Sequence, residues 1–242
     1  MFIENLDKST FNYIKDEPNT KGVLGVTHNR IVEIPNFIEP EAASNMIKFF
    51  EAKADQWGDI AFYNSAGMGL APNDPLLEPN NLYGTFFDDL RDKYKEAVEL
   101  VFEREVRPNT SHAQKWVVGG FAAPHSDNSD FEGEPNPFEI NKYVGILYLN
   151  DNYEGGNLYF PDHGIEFKPN AYSYYVFPGG IENIHGVKEV LEGTRYTMVS
   201  FWDFADAEYS DERQQWWEEE IAKVREEQKV QKVEWEKGNK FA

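Results

Sequence analysis

Residues 142–204 read KYVGILYLNDNYEGGNLYFPDHGIEFKPNAYSYYVFPGGIENIHGVKEVLEGTRYTMVSFWDF. Within them KYVGILYLN (142–150), GNLYFP (156–161), AYSYYVFP (171–178), NIHGVKEV (183–190) and RYTMVSFWDF (195–204) are short and rich in β-branched and aromatic residues. Gly, Pro and Asn separate them, which is the signature of successive strands. WVVGGFAA (116–123) reads as one more strand just upstream. Before the strands come helices. Residues 41–57 place Met46, Ile47, Phe50 and Ala54 on one face. A second helix is expected to open at Thr85, which with Asp88 resembles a capping box, and to run to about residue 105 with Phe87, Leu90, Tyr94, Val98 and Val101 inward. IVEIPNFI (31–38) alternates as a strand ending near Pro40, and 58–83 reads as a long Gly-, Pro- and Asn-containing loop.

Helices first and strands afterwards argue for an α+β fold, a sheet or barrel with helices packed on one side. The expected organisation is an N-terminal extension (1–30), one main domain (31–205) and a C-terminal helical extension (206–242) with Trp217, Ile221 and Val224 as its apolar stripe.

Composition narrows the chemistry. The chain has 242 residues and no cysteine, which removes disulfides, thiol nucleophiles, Cys-ligated zinc and iron–sulfur clusters together. Any metal must sit on His and carboxylate. The 43 acids against 23 Lys and Arg give net charge −20. Backbone phosphates need cations to displace their counterions, so nucleic acid is not expected as a partner. Nor is a membrane, because anionic lipid repels such a chain and no apolar run is long enough to span a bilayer. MFIENLDKST (1–10) lacks the pattern of a signal peptide, so the expected location is cytoplasmic. Residues 206–242 carry 11 acids and 7 bases, so most of the negative charge lies on the body of the chain.

Of five histidines, His125 forms an H-x-D pair with Asp127. Two residues separated by one on a strand share a face, so both can reach one metal. His185 lies 58 residues beyond Asp127 and opens another strand. Two His and one carboxylate make the facial triad of non-haem Fe(II) oxygenases. Arg195 follows ten residues later in HGVKEVLEGTRYTMVSF (185–201), which reads as a β-hairpin. With Leu191–Gly193 as its loop and Gly193 left-handed, Val190 pairs with Thr194, and Arg195 lies opposite Glu189 on the face of His185. A two-residue loop at Glu192-Gly193 would put them on opposite faces. Four residues span roughly 13 Å of strand, room for a five-carbon diacid between metal and guanidinium. The Arg fork suits its carboxylate. His163, in the turn PDHG, His28 and His112 are expected to be structural or solvated.

The order of these motifs resembles the Fe(II)/2-oxoglutarate-dependent dioxygenases, prolyl 4-hydroxylase type. The resemblance covers roughly 31–204 and is strong over KWVVGGFAAPHSD (115–127), YVGILYLNDNYEGGNLYFP (143–161) and YVFPGGIENIHGVKEVLEGTRYTMVSFW (175–202). It implies a double-stranded β-helix (jelly-roll) core with supporting N-terminal helices, and a metal held by His125, Asp127 and His185. It further implies Fe(II), 2-oxoglutarate as cosubstrate, O₂, and ascorbate as a reductant. Arg195 would bind the distal carboxylate of 2-oxoglutarate with help from the Tyr148 hydroxyl. Trp116 stands where many relatives have a tyrosine that touches the cosubstrate, and an indole can only donate. Asn157 and Leu158 replace the frequent Glu and Thr of G-G-E-T. Halogenating relatives have a small residue in place of the triad carboxylate, so Asp127 favours hydroxylation.

The implied reaction hydroxylates an unactivated C–H, that of a prolyl or other side chain in a peptide or protein, as 2-oxoglutarate is decarboxylated to succinate. Two alternatives stand beside it: hydroxylation of a free amino acid or other small molecule, and a jelly-roll binding protein without turnover. NSDFEGEPNPFEIN (128–141) carries Asp130, Glu132, Glu134 and Glu139 directly after the H-x-D pair. It reads either as a lid whose acids attract a cationic substrate or as a solvated loop.

Overall fold

The computed structural model describes residues 2–21, 23–53, 58–60, 65–68 and 82–223. Two sheets face each other, with helices on the outer side of the larger. The large sheet contains β1 (Asn12–Pro18), β2 (His28–Ile34), β3 (Gly58–Ile60), β4 (Ser65–Met68), β5 (Val106–Trp116), β7 (Tyr143–Tyr148), β11 (Tyr174–Pro178) and β14 (Arg195–Phe204). Their order is β1-β2-β11-β7-β14-β5-β4-β3. The small sheet runs β10-β9-β12-β6, from β6 (Ala122–His125), β9 (Leu158–Phe160), β10 (Ile165–Phe167) and β12 (His185–Val187). A two-stranded ribbon pairs β8 (Glu154–Gly155) with β13 (Val190–Glu192). All of these pairings are antiparallel.

The two-residue period of the central strands divides their side chains between two cores. In β7, Tyr143 and Leu147 join the helix-side core, while Val144, Ile146 and Tyr148 join the core between the sheets. In β11, Tyr174 and Val176 go one way, Tyr175 and Phe177 the other. Every residue of both strands is buried, as expected of strands covered on both faces. Gly145 is required within β7, because a Cβ there would lie 1.8 Å from the Tyr174 hydroxyl.

Helix α1 (Pro40–Glu51) begins with proline in its first turn, where the missing N–H costs nothing, and buries Ala43, Met46 and Phe50. Ile47 packs beside them and Ala54 lies outside the described residues. Helix α2 (Leu82–Phe102) buries Leu90, Tyr94, Val98 and Val101 as expected. Its start differs: Thr85 lies inside the helix and is not its cap. A Ser/Thr followed three residues later by an acid occurs often in an acidic helix, so the match carried little information. Glu103, left-handed at φ 54°, stops the helix earlier than expected.

Other boundaries shift as well. WVVGGFAA is not one strand. β5 ends at Trp116, and a turn at Val117–Gly120, with Gly119 at φ 85°, leads into β6. Two stretches of the expected 58–83 loop, β3 and β4, extend the large sheet beyond β5. Tertiary pairing supplies the strand energy that their Gly-rich sequence does not advertise. At the N-terminus, β1 forms the outer edge of the same sheet.

The expected hairpin between His185 and Arg195 does not form. β12 pairs with β6 and β9, β13 pairs with β8, and β14 pairs with β5 and β7. The chain crosses from the small sheet to the large one over Lys188–Thr194. Gly193 is left-handed as expected, at φ 78°, but it turns a crossover, not a hairpin.

Candidate active site

His125 ends β6 and His185 opens β12, directly opposite it in register. Asp127 sits two residues past His125, and its backbone N–H donates to Gly179 O at 2.8 Å. The three ligand atoms lie within 4.8 Å of one another. Asp127 Oδ1 is 3.6 Å from His125 Nε2, and Oδ2 is 3.5 Å from His185 Nε2. Both rings are oriented from behind. His125 Nδ1 donates to Ala123 O at 2.8 Å, and His185 Nδ1 donates to Asn183 O at 3.0 Å. Each Nε2 lone pair is thereby aimed inward, as metal-ligating imidazoles require. Sequence alone could not identify these backbone partners.

The electrostatics suit a cation. Burial alone would raise the Asp127 carboxyl, but His185 and His125 beside it hold it below its ordinary range. Burial pushes His185 down to about 4, so the ring is neutral. Burial opposes charge on His125 too, yet its contact with Asp127 holds it above its usual value. Asp127 Oδ2 is buried without a hydrogen-bond partner. A buried carboxylate with one oxygen left bare is costly unless something positive completes it. The donor set, two imidazole N and one carboxylate O with no thiolate, fits Fe(II).

Arg195 supplies the other half. Although it lies in the large sheet and the triad histidines in the small one, all four residues line one pocket, with Gln114, Trp116, Leu158 and Phe201. Arg195 is 1% exposed and donates from Nη2 to the Tyr148 hydroxyl at 2.8 Å. Its guanidinium sits 5.0 Å from the Trp116 ring centre and 4.8 Å from that of Tyr148. Nε, Nη1 and the nearby Tyr153 hydroxyl are buried without hydrogen-bond partners. Burial raises the Tyr148 phenol despite Arg195, so it is neutral and its proton is free to donate. A buried cation with two open donors beside a phenol O–H is a fitting cradle for a carboxylate.

Other expected residues fall differently. The Trp116 N–H is given to Gln114 Oε1 at 3.2 Å, so the ring face, rather than the indole nitrogen, borders the cradle. Asn157 points away and donates to Glu166 at 3.0 Å, whereas Leu158 lines the pocket. His163 holds Glu182 O at 2.8 Å, bracing the segment before His185. His28 pairs with Asp16 at 2.6 Å. His112, expected to be structural or solvated, is hydrogen-bonded to pocket-lining Gln114 at 3.1 Å. Its spacing of two residues from Gln114 and four from Trp116 was the available signal.

The 128–141 loop is braced, not loose. Asp130 Oδ1 accepts the N–H groups of Glu132 and Glu134 at 3.0 and 2.8 Å. Glu139 is 6% exposed and is held by Arg213 and, at 3.0 Å, by Trp217 Nε1. Those partners belong to the helix over 211–223, so Glu139 anchors that helix and does not face a substrate.

Comparison with known proteins agrees with this geometry. Residues 106–203 match the model of the 2OG-Fe(II) oxygenase superfamily. The chain is 29% identical over 120 residues to prolyl 3-hydroxylase 3 of Homo sapiens, covering 48% of this chain and 15% of that protein. It is 35% identical over 83 residues to prolyl 3-hydroxylase 1 of Homo sapiens, covering 32% of this chain and 11% of that protein. The match thus spans under a sixth of those relatives. Among solved structures, viral collagen prolyl hydroxylase vCPH from Paramecium Bursaria Chlorella virus-1, as its 2OG complex, superposes with TM-score 0.56 at 14% identity, over 72% of this chain and 96% of that one. A Pseudomonas putida prolyl-4-hydroxylase gives TM-score 0.55 at 14% identity, over 72% and 92%. A Trichoplax adhaerens prolyl hydroxylase in complex with a hypoxia inducible factor peptide fragment gives 0.55 at 12%, over 72% and 83%. These likenesses bear out the double-stranded β-helix fold.

Proposed function

Taking residues 106–203 as a 2OG-Fe(II) oxygenase domain of the prolyl hydroxylase type, we propose that this chain hydroxylates an unactivated C–H of a prolyl or other side chain in a peptide or protein. The observation that carries it is the pairing of two unfinished sites in one pocket, the bare Asp127 Oδ2 beside His185 and the open donors of Arg195. His125, Asp127 and His185 would hold Fe(II), and Arg195 with Tyr148 would hold the distal carboxylate of 2-oxoglutarate. When bound, iron, 2-oxoglutarate and O₂ supply the oxidation, in which 2-oxoglutarate becomes succinate and CO₂ and the substrate gains one oxygen.

The chain's own residues then position and insulate. Ala123 O and Asn183 O keep both imidazoles turned inward. Val144, Ile146, Leu158, Val187, Val199 and Phe201 make the walls apolar, which keeps water from the oxidising centre. The named prolyl hydroxylase relatives support a prolyl substrate. The main domain is taken as 31–205, and a cytoplasmic place of action, with ascorbate as reductant, belongs to the same proposal. Cell fractionation tests the location.

The direct test has two stages. Fe(II) and 2-oxoglutarate added without O₂ should give the weak visible charge-transfer band of a chelated 2-oxo acid, lost in His185→Ala. A library of proline-containing peptides, beside a panel of free amino acids, is then scored by mass for gain of one oxygen. Turnover confined to free amino acids would replace the peptide proposal with the small-molecule one. No band in the wild type would remove the enzymatic one.

A further inference from the structure

On β5, His112, Gln114 and Trp116 alternate onto one face. Gln114 is 6% exposed and lines the pocket, opposite Thr197 of β14. Its side-chain contacts have a fixed sense. The Trp116 indole N–H can only donate, and it points at Gln114 Oε1 at 3.2 Å. The Thr197 hydroxyl donates to the same oxygen at 3.3 Å. The amide is therefore oriented by a partner with no alternative role. Its NH₂ group faces His112 Nε2 at 3.1 Å. An amide nitrogen cannot accept, so His112 Nε2 must be the acceptor and the ring proton must sit on Nδ1.

His112 is half-buried, its ring 5.9 Å from that of pocket-lining Phe201 and inclined 28° to it. Among the described residues its Nδ1 has no hydrogen-bond partner. Burial, pushing the ring down to about 4, agrees with a neutral imidazole.

We propose that His112 is a specificity-determining residue of the site, its Nδ1–H held as a donor toward a carbonyl oxygen of the bound peptide by the relay Trp116→Gln114→His112. The inference rests on the peptide-hydroxylase function proposed above. It gives the tryptophan at 116 a purpose, since a donor-only side chain there sets the direction of the whole relay.

The tautomer is read first, by long-range ¹H–¹⁵N correlation of the histidine rings in the protein without iron or substrate. A neutral His112 protonated at Nδ1 is expected, and an Nε2–H ring overturns the relay. Gln114→Glu keeps the acceptor for Trp116 and Thr197 but cannot donate to His112. A carboxylate there can only accept, so His112 Nε2 must then carry a proton, either as the Nε2–H tautomer or as the imidazolium. The NMR signature of an unprotonated Nε2 should be lost, and an unchanged one also overturns the relay. For the peptide that the wild type turns over best, His112→Phe should raise KM roughly three- to tenfold, the worth of one neutral hydrogen bond, with KM for 2-oxoglutarate held. Unchanged peptide KM in His112→Phe defeats the substrate contact even if Gln114→Glu fails to fold. No peptide turnover by the wild type defeats the underlying function and the contact with it. The tautomer, measured apart from turnover, tells that failure from failure of the relay.

Discussion

Replacing Arg195 with lysine separates charge from geometry. The guanidinium is 1% exposed, gives Nη2 to Tyr148 at 2.8 Å, and leaves Nε and Nη1 without partners. Lysine keeps the positive charge but offers one nitrogen in place of a planar fork. A charge-assisted hydrogen bond contributes about 1.5–3 kcal/mol. Lysine can recover one of the two open donors but not both, and it loosens the brace on Tyr148. A loss of about 2–4 kcal/mol in 2-oxoglutarate binding follows, or roughly 30- to 1,000-fold in Kd at about 1.4 kcal/mol per tenfold. The assay is an anaerobic titration of the Fe(II) protein with 2-oxoglutarate, followed by the charge-transfer band. Thermal unfolding provides the folding control and a second readout. In the wild type, 2-oxoglutarate at a hundred times its Kd should stabilise the protein by about 2.7 kcal/mol, or roughly 5–11 °C for a chain of this size. In Arg195→Lys that shift should largely vanish at the same concentration. A variant Kd within about threefold of wild type, which is less than one hydrogen bond, would refute the assignment of Arg195 to the carboxylate.

Asp127→Ala should weaken Fe(II) binding, so that the charge-transfer band needs more iron to develop, while preserving the strand pairings, checked by anaerobic absorbance and circular dichroism. Gly145→Ala should destabilise the fold by about 1–3 kcal/mol, since its Cβ would land 1.8 Å from the Tyr174 hydroxyl; urea unfolding measures it. Glu139→Gln should loosen the helix over 211–223 by weakening its hold on Arg213 and Trp217, seen as faster proteolysis there with the body intact. Burial raises the Glu182 carboxyl, whose two oxygens lack partners. A raised carboxyl favours the folded state below its unfolded pKa and loses that contribution as pH rises through the folded one. Glu182→Gln should therefore be more heat-stable than wild type at mildly alkaline pH and lose that advantage in acid, as thermal scans across pH would show.

Much of the fold was legible because its signals are local. The five strand runs of 142–204 and the inward faces of α1 and α2 follow from spacing alone. His125, Asp127, His185 and Arg195 also stood out, since an H-x-D pair and a distant His-then-Arg are patterns of residue type. What failed were steps that needed partners. Thr85 looked like a cap and lies inside a helix. The crossover at Gly193 looked like a hairpin, because a left-handed glycine turns both alike. Glu139 looked like an acid of either a substrate-attracting lid or a solvated loop, since its neighbours in the chain do not reveal Arg213 and Trp217.

The sequence by itself determined the alternation of apolar side chains, the absence of thiol ligands and the donor types available to a metal. Each is a property of residue order or chemistry that survives any packing. Only the tertiary structure decided which faces meet. It placed His185 and Arg195 in different sheets and still turned both into one pocket, because two sheets packed face to face bring residues distant in the chain together. It also decided the direction of the hydrogen bonds. The donor at Trp116 fixes the amide at Gln114 only once strand β5 lines them up, and the bare oxygen of Asp127 exists only where it is buried beside His185.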